Sequence, residues 1–244
     1  MNGGMYMRKQ DKEKLLKGIL ALLDESDDDA PQQEQQEQQE EQEDSQHPTK
    51  QEYTTLELPL DLQEENPRMI VLNAEVTAET TSVIATSIAL INKEDKDIPV
   101  EEREPIIVWI DSPGGSVTSG MGVCNILEES ETETIGVVCG NAASMACLLS
   151  MAFHKTYAFK DSIFLLHDGE FSVDNSTAKF EDVIKLYYML KEKTKNFVTS
   201  HTNITPEYYE EIYRKELYLS AQEAKELGII DGIIGEDIEL SEIL

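Results

Sequence analysis

The chain has 244 residues, of which 49 are acidic and 20 basic, for a formal net charge of -29. A polyanion of this kind repels a phosphate backbone, which argues against nucleic-acid binding. Hydrophobic residues make up 40% of the chain, enough for a core. No apolar run reaches about eighteen residues and no basic stretch leads into an apolar one at the start, so neither a membrane span nor a secretory signal is expected.

In chain order, Lys12 to Leu23 carries Leu15, Leu16, Ile19 and Leu22 at helical spacing. This reads as a short appended helix, or as a docking peptide for a partner. From Asp24 to about Gln51 the residues are almost all Asp, Glu and Gln. Such a segment buries too little apolar area to offset its ordering entropy, and disorder is expected. The folded part should begin near Thr54, leaving residues 1–53 as an acidic Gln/Glu-rich tail and 54–244 as one domain.

Met69 to Leu72 suits a short buried strand, and Thr77 to Asn92 has the period of a helix, followed by a charged loop from Lys93 to Glu104. Ile106 to Ile110 is a β-branched and aromatic run, as in a strand covered on both faces. A turn at Asp111 to Ser116 and a helix over Val117 to Leu127 follow. The order then repeats: a strand at Ile135 to Cys139, a turn at Gly140-Asn141, and a helix from Ala142 to Phe153. Short strands are expected at Tyr157 to Phe159 and Ile163 to Leu166. A long amphipathic helix runs from about Thr177 to Thr199, with Phe180, Ile184, Tyr187 and Leu190 recurring. Pro206 opens another helix, Ser220 with Glu223 makes a capping box for the helix that Gly228 ends, and Ile229-Ile230 and Ile233-Ile234 suggest a terminal strand. Alternating strands and helices predict an α/β domain with mostly parallel pairing.

Cys124, Cys139 and Cys147 form no CxxC pair and sit in apolar segments, so reduced core thiols of a cytosolic protein are expected. No His/Cys cluster has metal-ligand spacing, and no metal or organic cofactor is implied.

Three segments offer chemistry. Asp111-Ser112-Pro113-Gly114-Gly115-Ser116 follows a buried strand, and its glycines let backbone N–H groups face a cleft. No lysine follows as in GxxxxGK[ST], so a phosphate loop is disfavoured, while a plain tight turn and an anion cradle for a reaction intermediate both stand. In Gly140 to Ala146, small residues precede Ser144 at the mouth of a wholly apolar helix. That serine is either an ordinary N-cap or a nucleophile beside unpaired N–H groups. His167 ends the apolar strand Ile163 to Leu166; the other histidines sit in the tail, in a polar turn and at a helix end. It is either a hydrogen-bonded core residue or a base. Nucleophilic hydrolysis needs serine, imidazole, a carboxylate and two aimed N–H donors together.

From about Met69 to Ile234 the sequence resembles the ClpP peptidase family, the proteolytic subunit of the Clp protease. The resemblance rests on Ile107 to Met121 around Asp111-Ser112-Pro113-Gly114-Gly115-Ser116, on Gly140 to Ala146, on Ile163 to His167, and on Tyr218 to Ala224 with Gly228 to Asp231. It implies a spiral of ββα units (the ClpP/crotonase-like fold) with an inserted handle helix, for which Thr177 to Thr199 is the match. It implies Ser144 as nucleophile, His167 as general base, and the backbone N–H groups of Gly115 and Met145 as the oxyanion hole. The family's third member is an aspartate just before the Phe/Tyr-Leu-Ser-Ala segment, where this chain has Glu216, one methylene longer. The family's usual Gln-Pro after the histidine is Asp168-Gly169 here.

The resemblance further implies a cytoplasmic serine endopeptidase acting on small or unfolded polypeptides inside two stacked heptameric rings of one chain. A separate AAA+ ATPase unfoldase would feed it, since the sequence has no nucleotide-binding loop. A phage-type capsid-maturation peptidase of the same superfamily, or a non-catalytic scaffolding ring subunit, are the alternatives.

Overall fold

The computed structural model describes residues 66–169, 180–212 and 215–244. The expectations for residues 1–53, a short helix and an acidic tail, lie outside the described residues.

Strands β1 (Met69–Leu72), β2 (Ile106–Ser112), β3 (Thr134–Ala143), β4 (Lys155–Phe159) and β7 (Gly232–Ile234) lie side by side in the order β1-β2-β3-β4-β7, and every pair is parallel. Helices α1 (Ala78–Asp95), α2 (Val117–Glu128) and α3 (Met145–Ser150) connect the first four strands. Parallel pairing requires such crossovers, and the helices cover one face of the sheet. Alternate residues of β2 serve the two faces. Ile106, Val108 and Ile110 enter the larger core, which holds Ile84 and Ile88 of α1 with Val123 and Leu127 of α2. Ile107 and the half-buried Trp109 join Ile135, Val137 and the C-terminal Ile243 on the opposite face.

The middle of the chain departs from the expected turn and helix. Gly140 and Asn141 do not form a turn; β3 runs on through Ala143, and the helix begins only at Met145. The reason is a change of partner. Ile135 to Val138 pair with β4, whereas Asn141 to Ala143 pair with β5 (Ile163–Leu166). Strand β5 also pairs, antiparallel, with β6 (Leu217–Ser220). Gly140 lies at the changeover, where a Cβ would stand 2.9 Å from Asp111 Oδ1. The terminal strand is also shorter than expected, for Ile229 and Ile230 precede it in a turn while staying buried.

Cys139 corrects another expectation. It is exposed, while Cys124 and Cys147 are buried. It follows Val138, the last residue paired to β4, at the step where the β2–β3 register also shifts.

Helix α4 (Phe180–His201) is the expected long helix; α5 (Pro206–Ile212) and α6 (Ala221–Glu226) follow it. Phe197 and Val198 anchor the end of α4 in the core. Tyr187, Leu190, Lys191 and Thr194 are half-buried, and Leu186, Tyr188 and Met189 are exposed. The side chain of Phe180 lies outside the description. The capping box at α6 forms as expected: Ser220 N–H donates to Glu223 Oε2 at 2.8 Å, and Glu223 N–H to Ser220 Oγ at 3.3 Å. Among the described residues no helix is long and apolar enough to cross a membrane.

One ion pair ties α1 to the segments before β1 and β3. Asp95 is 1% exposed and accepts from Arg68 Nη2 at 2.5 Å, Arg68 Nη1 at 3.0 Å and Thr132 Oγ1 at 2.9 Å. The hydrogen bonds from Arg68 hold its carboxyl below the usual range, against the upward pull of burial. Such a group stabilises the fold above its unfolded value of about 3.9 and loses that contribution as pH falls through the lower folded value. Replacing one partner of a buried pair costs about 3 kcal/mol. Asp95→Asn is therefore expected to lower stability by that order in urea unfolding at pH 7, with a smaller deficit in strong acid.

Candidate active site

Ser144 stands alone between β3 and α3. Its φ of 53° is the one positive value among the described non-glycine residues. An L-residue held there costs on the order of 1–3 kcal/mol and persists only where its surroundings fix it. Here its N–H donates to Leu165 O at 2.8 Å, and its carbonyl accepts from Cys147 N at 3.0 Å and Leu148 N at 3.2 Å. Every residue of α3 is buried, which fixes the far side. Its side chain makes no capping hydrogen bond, so the N-cap reading fails. The hydroxyl turns into a cleft, and Ser144 Oγ lies 2.8 Å from His167 Nε2.

His167 arrives from the neighbouring strand. β5 buries Phe164 and Leu166 and leaves Leu165 half-buried, so His167 falls on the less buried side. The β3–β5 register sets Ala143 beside Leu165, which carries Ser144 and His167 to the carboxyl ends of adjacent parallel strands. Sites in open parallel sheets form at such ends, where a strand's neighbours change. Burial of alternate residues was readable from the sequence; the pairing that joins these two residues was not.

The Gly114-Gly115 loop approaches from β2. Val76 N–H donates to Gly114 O at 2.7 Å, and Ser116 N–H to Val76 O at 2.8 Å, leaving Gly115 N–H with no acceptor among the described residues. Met145 N–H, at the first position of α3, likewise has none. Gly114 has φ +89°, and a Cβ there would lie 2.8 Å from Ser144 Cβ and 2.9 Å from Met145 N. Only glycine permits that approach. The loop thus brings a free N–H next to the serine turn, where another begins the helix.

Ser112, which the sequence reading passed over, fastens this loop. It is 1% exposed; its hydroxyl donates to Ala74 O at 2.6 Å and accepts from Gly114 N at 3.2 Å. Ser112→Ala would leave both groups unsatisfied. The expected result is about a tenfold fall in kcat with KM little changed, and Ser112→Thr should recover part of it. A rise in KM with kcat unchanged would assign the residue to binding.

Glu216 lies just before β6. The β5–β6 register pairs Leu166 with Leu217, so its next step places Glu216 opposite His167. The carboxylate is exposed, and its Oε2 accepts from Tyr218 Oη at 3.0 Å. Among the described residues no carboxylate is hydrogen-bonded to or ion-paired with His167. Asp168 is exposed beside the cleft.

The cleft beside the Ser144–His167 pair has a cavity of about 80 Å³. Its lining is mixed, with the apolar Val117, Met145, Leu148, Leu166 and Leu190 beside Tyr187, Lys191, Thr194 and Tyr209. Burial raises the Tyr209 phenol well above its ordinary value, so it stays neutral. Among the described residues no group of three or more His, Cys, Asp or Glu side chains is placed to hold a metal ion.

A hydroxyl hydrogen-bonded to an imidazole, beside two free N–H groups and a side-chain-sized cavity, has the parts for acyl transfer. A family model described as Clp protease matches residues 61–237.

Proposed function

The chain belongs to the Clp protease family, a family of peptidases, and from that premise we propose that it is a serine endopeptidase hydrolysing small or unfolded polypeptides inside a ring-shaped chamber. The observation that carries this reading is the 2.8 Å contact of Ser144 Oγ with His167 Nε2. His167 takes the hydroxyl proton as Ser144 Oγ attacks the scissile carbonyl. The N–H groups of Gly115 and Met145 receive the developing oxyanion, and Glu216 steadies the imidazolium. The tetrahedral intermediate collapses as His167 returns the proton to the leaving amine. Water, deprotonated by the same imidazole, then releases the acyl group and restores the serine.

Enclosure is part of the proposal. The exposed Leu186, Tyr188 and Met189 of α4 form an apolar face that a second ring would cover. We take the assembly as two stacked heptameric rings of this chain, located in the cytoplasm and fed by a separate ATPase unfoldase. The boundary near residue 53 belongs to the same proposal and rests on the change in composition there.

A fluorophosphonate probe tests the reading. Attachment to the assembled protein, located on Ser144 by peptide mass, is the expected result. An assembled ring that takes up no probe would instead be a scaffold.

A further inference from the structure

Two glycines of α2 stand in opposite surroundings. Gly122 is exposed, and a Cβ there would have nothing within 4 Å among the described residues. Gly120 is buried, and a Cβ there would overlap Cγ of Met145 while standing 2.7 Å from its Cε and 2.8 Å from its Sδ. Glycine inside a helix is less stable than alanine, so one kept against a neighbour has a packing reason. Here the reason is that the Met145 side chain lies across the bare backbone of α2.

That contact reaches the chemistry through a single residue. Met145 N–H opens α3 with no acceptor among the described residues, directly after Ser144 at φ 53°. Gly114 closes on the same amide from the loop, where a Cβ would lie 2.9 Å from Met145 N. Cγ is two bonds from Cα, so a side chain at residue 120 would not be met by swinging a free end. The rotamer or the backbone of Met145 must move, inside a core that leaves few voids to turn into. Within the proposed peptidase reading, on which this inference rests, we propose that the Gly120 seat positions the Met145 N–H for the oxyanion. Gly120 touches no substrate and is a positioning residue, acting through the methionine laid against it. Oxyanion donors work over a narrow range, and a shift of about 1 Å costs about 100-fold in rate.

Gly120→Ala in the assembled full-length protein is expected to lower kcat by about 10- to 100-fold, with KM within about twofold. A peptide aldehyde reports on the donor itself. Ser144 Oγ adds to its carbonyl carbon, the hydroxyl proton passes to His167, and the carbonyl oxygen takes the negative charge. Its affinity should fall by the same factor as kcat. Gly122→Ala, on the open side of the same helix, should leave both unchanged. Met145→Ala empties the seat and should lower kcat and aldehyde affinity together by about tenfold. Adding Gly120→Ala to that variant should cost less than about twofold more, because the atoms it would strike are gone. If Gly120→Ala alone does not assemble, Met145→Ala and the double variant carry the same test. Unchanged aldehyde affinity in the assembled variants, an equal loss from Gly122→Ala, or the same loss from Gly120→Ala in both backgrounds overturns the seat and leaves the peptidase intact. If wild-type Ser144 takes up no fluorophosphonate and no peptide is cut, the peptidase reading fails and this inference falls with it.

Discussion

Ser144→Ala is expected to lower kcat/KM by on the order of 10⁴- to 10⁶-fold and to end fluorophosphonate labelling, with the fold unchanged. The size follows from the arrangement. A serine hydroxyl is a poor nucleophile until a base is within reach of its proton, and here an imidazole nitrogen stands 2.8 Å away. The cavity and the free N–H groups remain in the variant, but without Oγ they have no covalent step to assist. Stability should change little, because the contacts holding this residue at φ 53° are made by its backbone. Losing the hydrogen bond to a partly solvated imidazole costs about 1 kcal/mol at most. Peptide turnover, probe labelling and thermal unfolding on the same preparation separate the two effects. A variant keeping about a hundredth of the activity would assign the nucleophile elsewhere.

That prediction rests on a residue visible in the sequence, where the family resemblance implies its role and its local context alone does not. Ser144 precedes an apolar helix, and local statistics favour an N-cap there. The structure removes that reading, since the side chain bonds to the imidazole and caps nothing. The deciding event is non-local: β3 leaves β4 at Val138 and takes up β5 at Asn141. A window over Gly140 to Ala146 contains only small residues, which suit a turn or helix start as well as a strand packed at close quarters. By contrast, Ile106 to Ile110 could be little else than a buried strand, and the Ser220–Glu223 box marked its helix start within one local motif. Ser112 escaped notice for the same reason as the β3 extension. Its partner Ala74 lies 38 residues away, brought near by the crossover of α1. Cys139 illustrates the converse, an apolar context in sequence that ends in exposure at the step where β3 changes partners.

Glu216→Gln is expected to reduce kcat by about 10²- to 10⁴-fold with KM nearly unchanged, and Glu216→Asp to fall in between. The register supplies the reason for naming this residue. Facing positions on antiparallel strands point to the same side, about 4.5–5.5 Å apart at Cβ, and the β5–β6 ladder extended by one step sets Glu216 against His167. Tyr218, two residues on, shares that side and donates its hydroxyl to Oε2 at 3.0 Å. A carboxylate has a second oxygen, and its extra methylene relative to aspartate gives it reach toward Nδ1 while Tyr218 restrains the first. Glutamine keeps the length and can still accept from Tyr218 through its amide oxygen. A loss of rate in that variant would therefore report on the missing charge at the imidazole and not on the tyrosine contact. The exposure of Glu216 places the effect toward the lower end of the range, because solvent screens the carboxylate's support of the imidazolium. Unchanged kcat and unchanged labelling in Glu216→Gln would take this carboxylate out of the mechanism, and would leave the Ser144–His167 pair to act with the N–H groups alone.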